Sequence, residues 1–351
     1  MADYLLFATE RYALPILAPL AAALHAQGHR VFSWFEDGAA GGQLDGVTGI
    51  GLQQALALRP RAVFSAANWV PPFIAGAKVQ VFHGFNVRKR EDNRGHFRVR
   101  GLFDLYCTQG PATTAPFAAL AREQGHFKVV ETGWPKLDPL FQDDGGQAAA
   151  LRVPAAGRPV VLFGSTFTER LSAAPHLYPA IAADIAAGQR YWLLTLHPKC
   201  SEELFARYRA LAGGNACFIE PEQVMAAQRA ADVLVSDTSS IVSEFLVQHK
   251  PVVTFRNRVP EDYMLDFNDP AQLPVMLERA LAREPAHMAR IAAYADSIHP
   301  WRDGRSSQRV IAAADALLAG ELGALARKPL SACLRRLQIR RDLGYWGRSI
   351  G

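Results

Sequence analysis

Short apolar runs, each followed by a polar or glycine-containing turn and a stretch of helical spacing, recur along the whole chain. Tyr4–Ala8, Val31–Trp34, Ala62–Ser65, Val79–Phe82, Leu105–Thr108 and Lys128–Glu131 read as strands in the first half. Val160–Phe163, Trp192–Leu196, Cys217–Ile219, Asp232–Val235 and Val252–Phe255 read as strands in the second. Continuous rather than alternating apolar runs indicate strands buried on both faces, as in parallel sheets covered by helices. The pattern predicts an α/β chain of two Rossmann-like, doubly wound domains facing each other across a cleft. Residues 142–158 are polar and rich in glycine and alanine, which marks them as the linker. The expected division is a first domain over 1–150, a second over 158–320, and a basic tail over 321–351.

The most informative stretch is 231–256. A buried strand ends in the polar run Ser236-Asp237-Thr238-Ser239-Ser240, and a helix follows with Ile241, Phe245 and Leu246 on one face. Lys250-Pro251 stops that helix ahead of the next strand. A turn at the carboxyl end of a parallel strand faces the crevice where such proteins bind ligands. Hydroxyls beside the unpaired N–H groups of a helix start also suit an anion. Helix capping is the plainer explanation, but one residue suffices for it.

Composition narrows the class. Half of the 351 residues are hydrophobic and 20% are charged, and no segment has the ~18 uninterrupted apolar residues of a membrane-spanning helix. Tyr12–Gln27 is broken by Pro15 and Pro19 and lacks a basic leader, so it does not read as a signal peptide. The four cysteines have no metal-ligand spacing, and reduced thiols in the cytoplasm are expected. Residues 321–351 hold seven basic against two acidic side chains, which is the whole of the net charge of +5. The rest of the chain is formally neutral, and nucleic acid is not expected as a partner. In the tail, Leu330, Leu334 and Leu337 share one helical face with arginines on others. Either the tail packs back on the first domain, or 327–346 lies on an anionic membrane surface as a peripheral contact.

Candidate chemistry clusters at strand ends. His83 precedes Gly84 and is placed to take a proton, and Arg88 and Lys89 beyond it can attract a phosphate. His197 ends a strand in the second half, and Gly164-Ser165-Thr166 ends another. Asp262, Asp266 and Asp269 form an acidic loop in which solvation is favoured over metal binding. The Gly-rich stretch 38–51 lacks the context of a dinucleotide fingerprint and reads as a loop.

Over about residues 78–310 these segments, in this order, resemble the CDP-glycerol glycerophosphotransferase family. Phe82-His83-Gly84 with Arg88-Lys89 is similar to its His-Gly segment. Gly133-Trp134-Pro135-Lys136-Leu137-Asp138 resembles its Gly-x-Pro-Arg-x-Asp motif. Leu196-His197-Pro198 matches its Leu-His-Pro, and Asp237-Thr238-Ser239-Ser240 resembles its Asp-Tyr-Ser-Ser, with Lys250-Pro251 following. Asp303-Gly304-Arg305-Ser306 resembles its closing segment. Thr238 replaces the family's tyrosine, Phe85-Asn86-Val87 replaces Thr-Pro-Leu, and Phe167-Thr168 stands where Trp-Arg is usual.

The resemblance implies a glycosyltransferase-B fold and transfer of glycerol phosphate, or a similar phosphoalditol, from a CDP-activated donor to a hydroxyl of a glycan or lipid-linked acceptor. It implies His83 as general base and His197 as donor to the transferred phosphate. Asp237, Thr238, Ser239, Ser240, Ser165 and Thr166 would hold the diphosphate, Arg88 or Lys89 would position phosphate or acceptor, and Glu244 is a candidate ribose or donor contact. No cofactor and no directly liganding divalent metal are expected. A nucleotide-sugar glycosyltransferase is the alternative. A UDP-N-acetylglucosamine 2-epimerase-like enzyme ranks below it, because the His-Arg-Arg-Glu-Asn segment of that family is absent here.

Overall fold

The computed structural model describes residues 1–38, 41–85 and 99–346. Arg88 and Lys89 lie outside the described residues. The chain forms two compact units, Met1–Phe141 with Ile298–Gly351 and Gln142–Ser297.

The first unit contains β1 (Asp3–Glu10), β2 (Arg30–Gly38), β3 (Thr48–Gly49), β4 (Ala62–Ser65), β5 (Ala77–Gln80), β6 (Leu105–Thr108) and β7 (Lys128–Glu131). They hydrogen-bond in the order β3-β2-β1-β4-β5-β6-β7, all parallel. The second unit contains β8 (Val160–Ser165), β9 (Tyr191–Leu196), β10 (Ala216–Phe218), β11 (Val233–Ser236), β12 (Val252–Phe255) and β13 (Leu265–Phe267), in the order β10-β9-β8-β11-β12-β13. These strands are also parallel. Each sheet therefore reverses its strand order once, at β1/β4 and at β8/β11. In doubly wound folds the ligand crevice lies at the carboxyl ends of the strands beside that reversal.

The apolar runs are continuous because both sheet faces are buried. In the second unit Val161, Phe163, Leu194, Val233 and Val235 face one core, while Val160, Leu162, Leu193 and Leu234 face another. Successive side chains of a strand point to opposite faces, so most positions of these strands are apolar.

The units differ from the expected domains at three places. The division falls at Phe141/Gln142, and the supposed linker is ordered: helix Gln147–Arg152 packs on helix Val224–Ala230, with Arg152 bonded to Asp232 at 3.0 Å. Residues from Ile298 on belong to the first unit rather than the second. The cause is a buried carboxylate. Asp138 accepts the backbone N–H groups of Ser306 and Ser307, both at 2.8 Å, at the start of helix Ser306–Leu318. That helix start has no cap from its own Arg305, so Asp138 supplies one from 168 residues away. Beside it, Trp134 N–H donates to His299 Nε2 at 3.0 Å and Arg309 Nε donates to the Thr132 carbonyl at 2.8 Å. Gly133 has φ +78°, and a Cβ there would meet Ser306 Oγ at 2.5 Å, so no other residue fits. The Gly133–Asp138 and Asp303–Ser306 motifs are thus one structural clasp.

The basic tail packs back on the first unit. Ile339 of helix Leu330–Asp342 enters the core, joined by Leu343 and Tyr345, and Lys328 Nζ bonds Asp104 at 2.6 Å. Leu330, Leu334 and Leu337 remain exposed on the outer face. Among the described residues, no helix is long and apolar enough to cross a membrane.

Candidate functional site

Two histidines lie just beyond strand ends, one in each unit. In the first unit the strand stops at Gln80, two residues earlier than its apolar run suggests. Phe82, although a buried aromatic residue, adopts φ +56°, a left-handed conformation that bulky side chains avoid. Its ring is held edge-on by Phe117 at 5.1 Å, and its carbonyl accepts from Trp134 Nε1 at 3.4 Å. This turn sets His83 beside the end of β4, where His83 Nδ1 donates to the Ala66 carbonyl at 2.9 Å. A carbonyl can only accept, so Nδ1 carries the proton and Nε2 carries the lone pair. Burial holds the imidazole below its usual pKa, helped by Arg100, so it is neutral at pH 7. Gly84 is not demanded by the local backbone: a Cβ there would meet nothing within 4 Å.

His197, just past β9, has the opposite tautomer. The Lys199 backbone N–H donates to its Nδ1 at 3.1 Å, so the proton sits on Nε2. Burial, then the charge of Lys199, keeps it below the usual histidine value. Phe167 covers the ring with centroids 4.5 Å apart, and Lys199 Nζ stands 5.5 Å from the Phe167 ring. A neutral imidazole with Nε2–H can donate a hydrogen bond to an anion but cannot accept a proton there.

The polar turn after β11 divides into two groups. Asp237 is fully buried and its carboxylate accepts from Ser165 Oγ at 2.5 Å, from Thr166 N at 3.1 Å and from Ala173 N at 2.9 Å. Burial pushes its pKa up, while these bonds pull it down. Asp237 and Ser165 therefore hold the loop after β8, which corrects the expectation that they grip a diphosphate: an inward carboxylate with all its donors internal has nothing to offer an anion. Thr238 Oγ1 accepts from Arg258 N at 3.0 Å. Ser239 and Ser240 differ. Among the described residues their hydroxyls make no hydrogen bond, and Ser240 does not cap helix Ile241–Leu246. Capping thus explains none of the run; Ser239 is half-buried and Ser240 is exposed. Glu244 is buried on that helix beside Val242 and Phe245, which places it in the interior rather than on an open donor surface.

Among the described residues no group of three His, Cys, Asp or Glu side chains converges to hold a metal. Asp266 accepts from Thr254 Oγ1 at 2.7 Å and Asn257 N at 3.0 Å, Asp269 caps a single 3₁₀ turn, and Asp262 pairs with Arg290. Phe167 and Tyr12 were not singled out from sequence. For Phe167 the available signal was an aromatic residue interrupting a polar stretch just past a strand end.

The division of the polar turn predicts opposite outcomes for two substitutions. Asp237→Ala strands buried donors and should lower the stability of the second unit by about 3 kcal/mol or more in urea denaturation. Ser240→Ala should change it by less than about 0.5 kcal/mol. Equal effects would refute the division.

The model of the family described as CDP-Glycerol:Poly(glycerophosphate) glycerophosphotransferase matches residues 79–314. Teichoic acid ribitol-phosphate polymerase TarK of Staphylococcus aureus (strain NCTC 8325 / PS 47) is 28% identical over 226 residues, 57% of this chain and 43% of that protein. The chain spans less than half the length of the curated relatives it matches. The solved wall teichoic acid polymerase TagF superposes with a TM-score of 0.66 over 92% of this chain and 90% of its own, at 13% identity. A putative UDP-N-acetylglucosamine 2-epimerase from Listeria monocytogenes shares the fold too, with a TM-score of 0.60 over 93% of this chain and 98% of its own, at 16% identity. Both superpositions bear out the glycosyltransferase-B-type fold. With the family match spanning more than half its length, the chain belongs to the CDP-glycerol:poly(glycerophosphate) glycerophosphotransferase family.

Proposed function

We propose that the protein transfers glycerol phosphate, or a related phosphoalditol, from a CDP-activated donor to a hydroxyl of a glycan or lipid-linked acceptor. The observation that carries this reading is the pair of opposite histidine tautomers. Transfer needs one group that takes the acceptor's proton and another that donates to the phosphoryl oxygens, and His83 Nε2 and His197 Nε2–H have those capacities. The acceptor oxygen bonds to the distal phosphorus of the donor and the bridging P–O bond breaks. CMP leaves with the electron pair, and the hydroxyl proton passes to His83. Ser239 and Ser240 would hold the diphosphate, with Arg88 or Lys89 positioning the phosphate. No metal is assigned a role, because phosphoryl transfer asks mainly for positioning and charge stabilisation, which these groups can supply. Family membership and relatives named for ribitol-phosphate and teichoic acid polymerisation support the same chemistry.

The decisive assay offers CDP-glycerol, CDP-ribitol and UDP-sugars and identifies the released nucleotide. CMP marks a cut between the phosphates, whereas UDP release would instead favour the nucleotide-sugar alternative. With the active donor, His83→Ala should lower turnover roughly 10²- to 10⁴-fold while donor affinity is kept. A base below its usual pKa stays unprotonated on acidification until that lower value is reached. The acid limb of kcat/KM should therefore fall below pH ~6.5. Near-normal turnover by His83→Ala would remove the mechanism.

For the tail, we propose peripheral contact with an anionic membrane through the exposed Leu330, Leu334 and Leu337 and neighbouring arginines. Cosedimentation with phosphatidylglycerol vesicles should be lost on replacing the three leucines by serine. Unchanged binding by that variant, or none by the parent, would contradict it.

A further inference from the structure

The carboxyl ends of β1 and β4 flank the point where the first sheet reverses its strand order. The end of β4 supplies Ala66, whose carbonyl fixes the His83 tautomer. The end of β1 supplies Glu10, Arg11 and Tyr12. The Tyr12 ring centroid lies 5.2 Å from that of His83 at an interplanar angle of 41°. Tyr12 is 45% exposed, whereas the apolar residues around it, Phe7, Ala8, Ala13 and Ile16, are buried. Among the described residues its hydroxyl makes no hydrogen bond. Burial, and then the charge of Glu10, raises its pKa, so the phenol stays protonated and neutral.

A large aromatic residue left open beside a proton acceptor, at the strand ends where such sheets bind ligands, is not serving the core. Its flat apolar face and polar tip suit a partner with a flat apolar face and hydroxyls around its edge. A pyranose ring has that form, whereas a linear alditol phosphate is flexible and offers no such face. We infer that Tyr12 is an acceptor-binding residue, its ring seating a pyranose of the acceptor so that one sugar hydroxyl meets His83. The inference rests on the proposed role of His83 as base. It concerns a part of the chain that precedes the family match, which begins at residue 79.

The test measures CMP release from CDP-glycerol with a methyl pyranoside or with glycerol phosphate as acceptor, and its slow release to water with neither. Tyr12→Ala should raise KM for the pyranoside about tenfold or more, the scale of a lost apolar pocket contact. It should leave donor KM unchanged, and the melting temperature reports that the variant is folded. Tyr12→Phe, which keeps the ring, should retain a KM for the pyranoside well below that of Tyr12→Ala. The parent's preference for pyranoside over glycerol phosphate should vanish in Tyr12→Ala. An unaltered pyranoside KM, or a parent that prefers glycerol phosphate, would overturn the inference. His83→Ala in parallel separates the two readings. Retained transfer there sinks the base assignment, and the inference with it. Lost transfer there with an unaltered KM in Tyr12→Ala sinks the Tyr12 assignment alone.

Discussion

One hydrogen bond to Nδ1 decides what each histidine can do. At His83 the partner is a carbonyl, which forces the proton onto Nδ1 and the lone pair onto Nε2. At His197 the partner is a backbone N–H, which forces the reverse. Both partners belong to the main chain, so the assignments are set by the backbone path at the strand ends and not by another side chain that could titrate. The lowered pKa of each ring follows from burial and keeps both neutral where the tautomer matters. The same residue type thereby acquires two complementary hydrogen-bonding capacities.

Buried carboxylates tie together other segments of each unit. Asp237 ties the loop after β8 to the turn after β11, across the strand-order reversal of the second unit. That loop carries Phe167, whose ring packs on His197. Asp138 performs a comparable task in the first unit, joining the segment after β7 to a helix that returns late in the chain. In each case a charged acceptor is buried because two or more backbone N–H groups meet it, which is the condition under which such burial is tolerated. Residues of the family-like segments thus include several whose polar atoms find their partners within the protein.

The strands were legible because parallel strands with two buried faces are mostly apolar, and Ala62–Ser65, Leu105–Thr108 and Val252–Phe255 coincide with their apolar runs. β13 was hidden because Asp266 within it resembled part of an acidic loop, although its carboxylate is spent on Thr254 and Asn257. The return of residues 298–351 to the first unit could not be read locally, since it depends on contacts spanning more than a hundred residues. For the site, the histidines and the polar turn were visible as residue types at strand ends. Which polar groups are spent inside the protein was not, because Asp237 and Ser165 satisfy each other only once β8 and β11 lie side by side.

The imidazole nitrogens themselves report most directly on the central claim. In ¹⁵N-labelled protein at pH 7.5, His83 should show a protonated Nδ1 and a pyridine-like Nε2, and His197 a pyridine-like Nδ1 and a protonated Nε2. Assignment through His83→Gln and His197→Gln identifies each pair of signals. The same tautomer at both rings, or an imidazolium at either, would contradict the account.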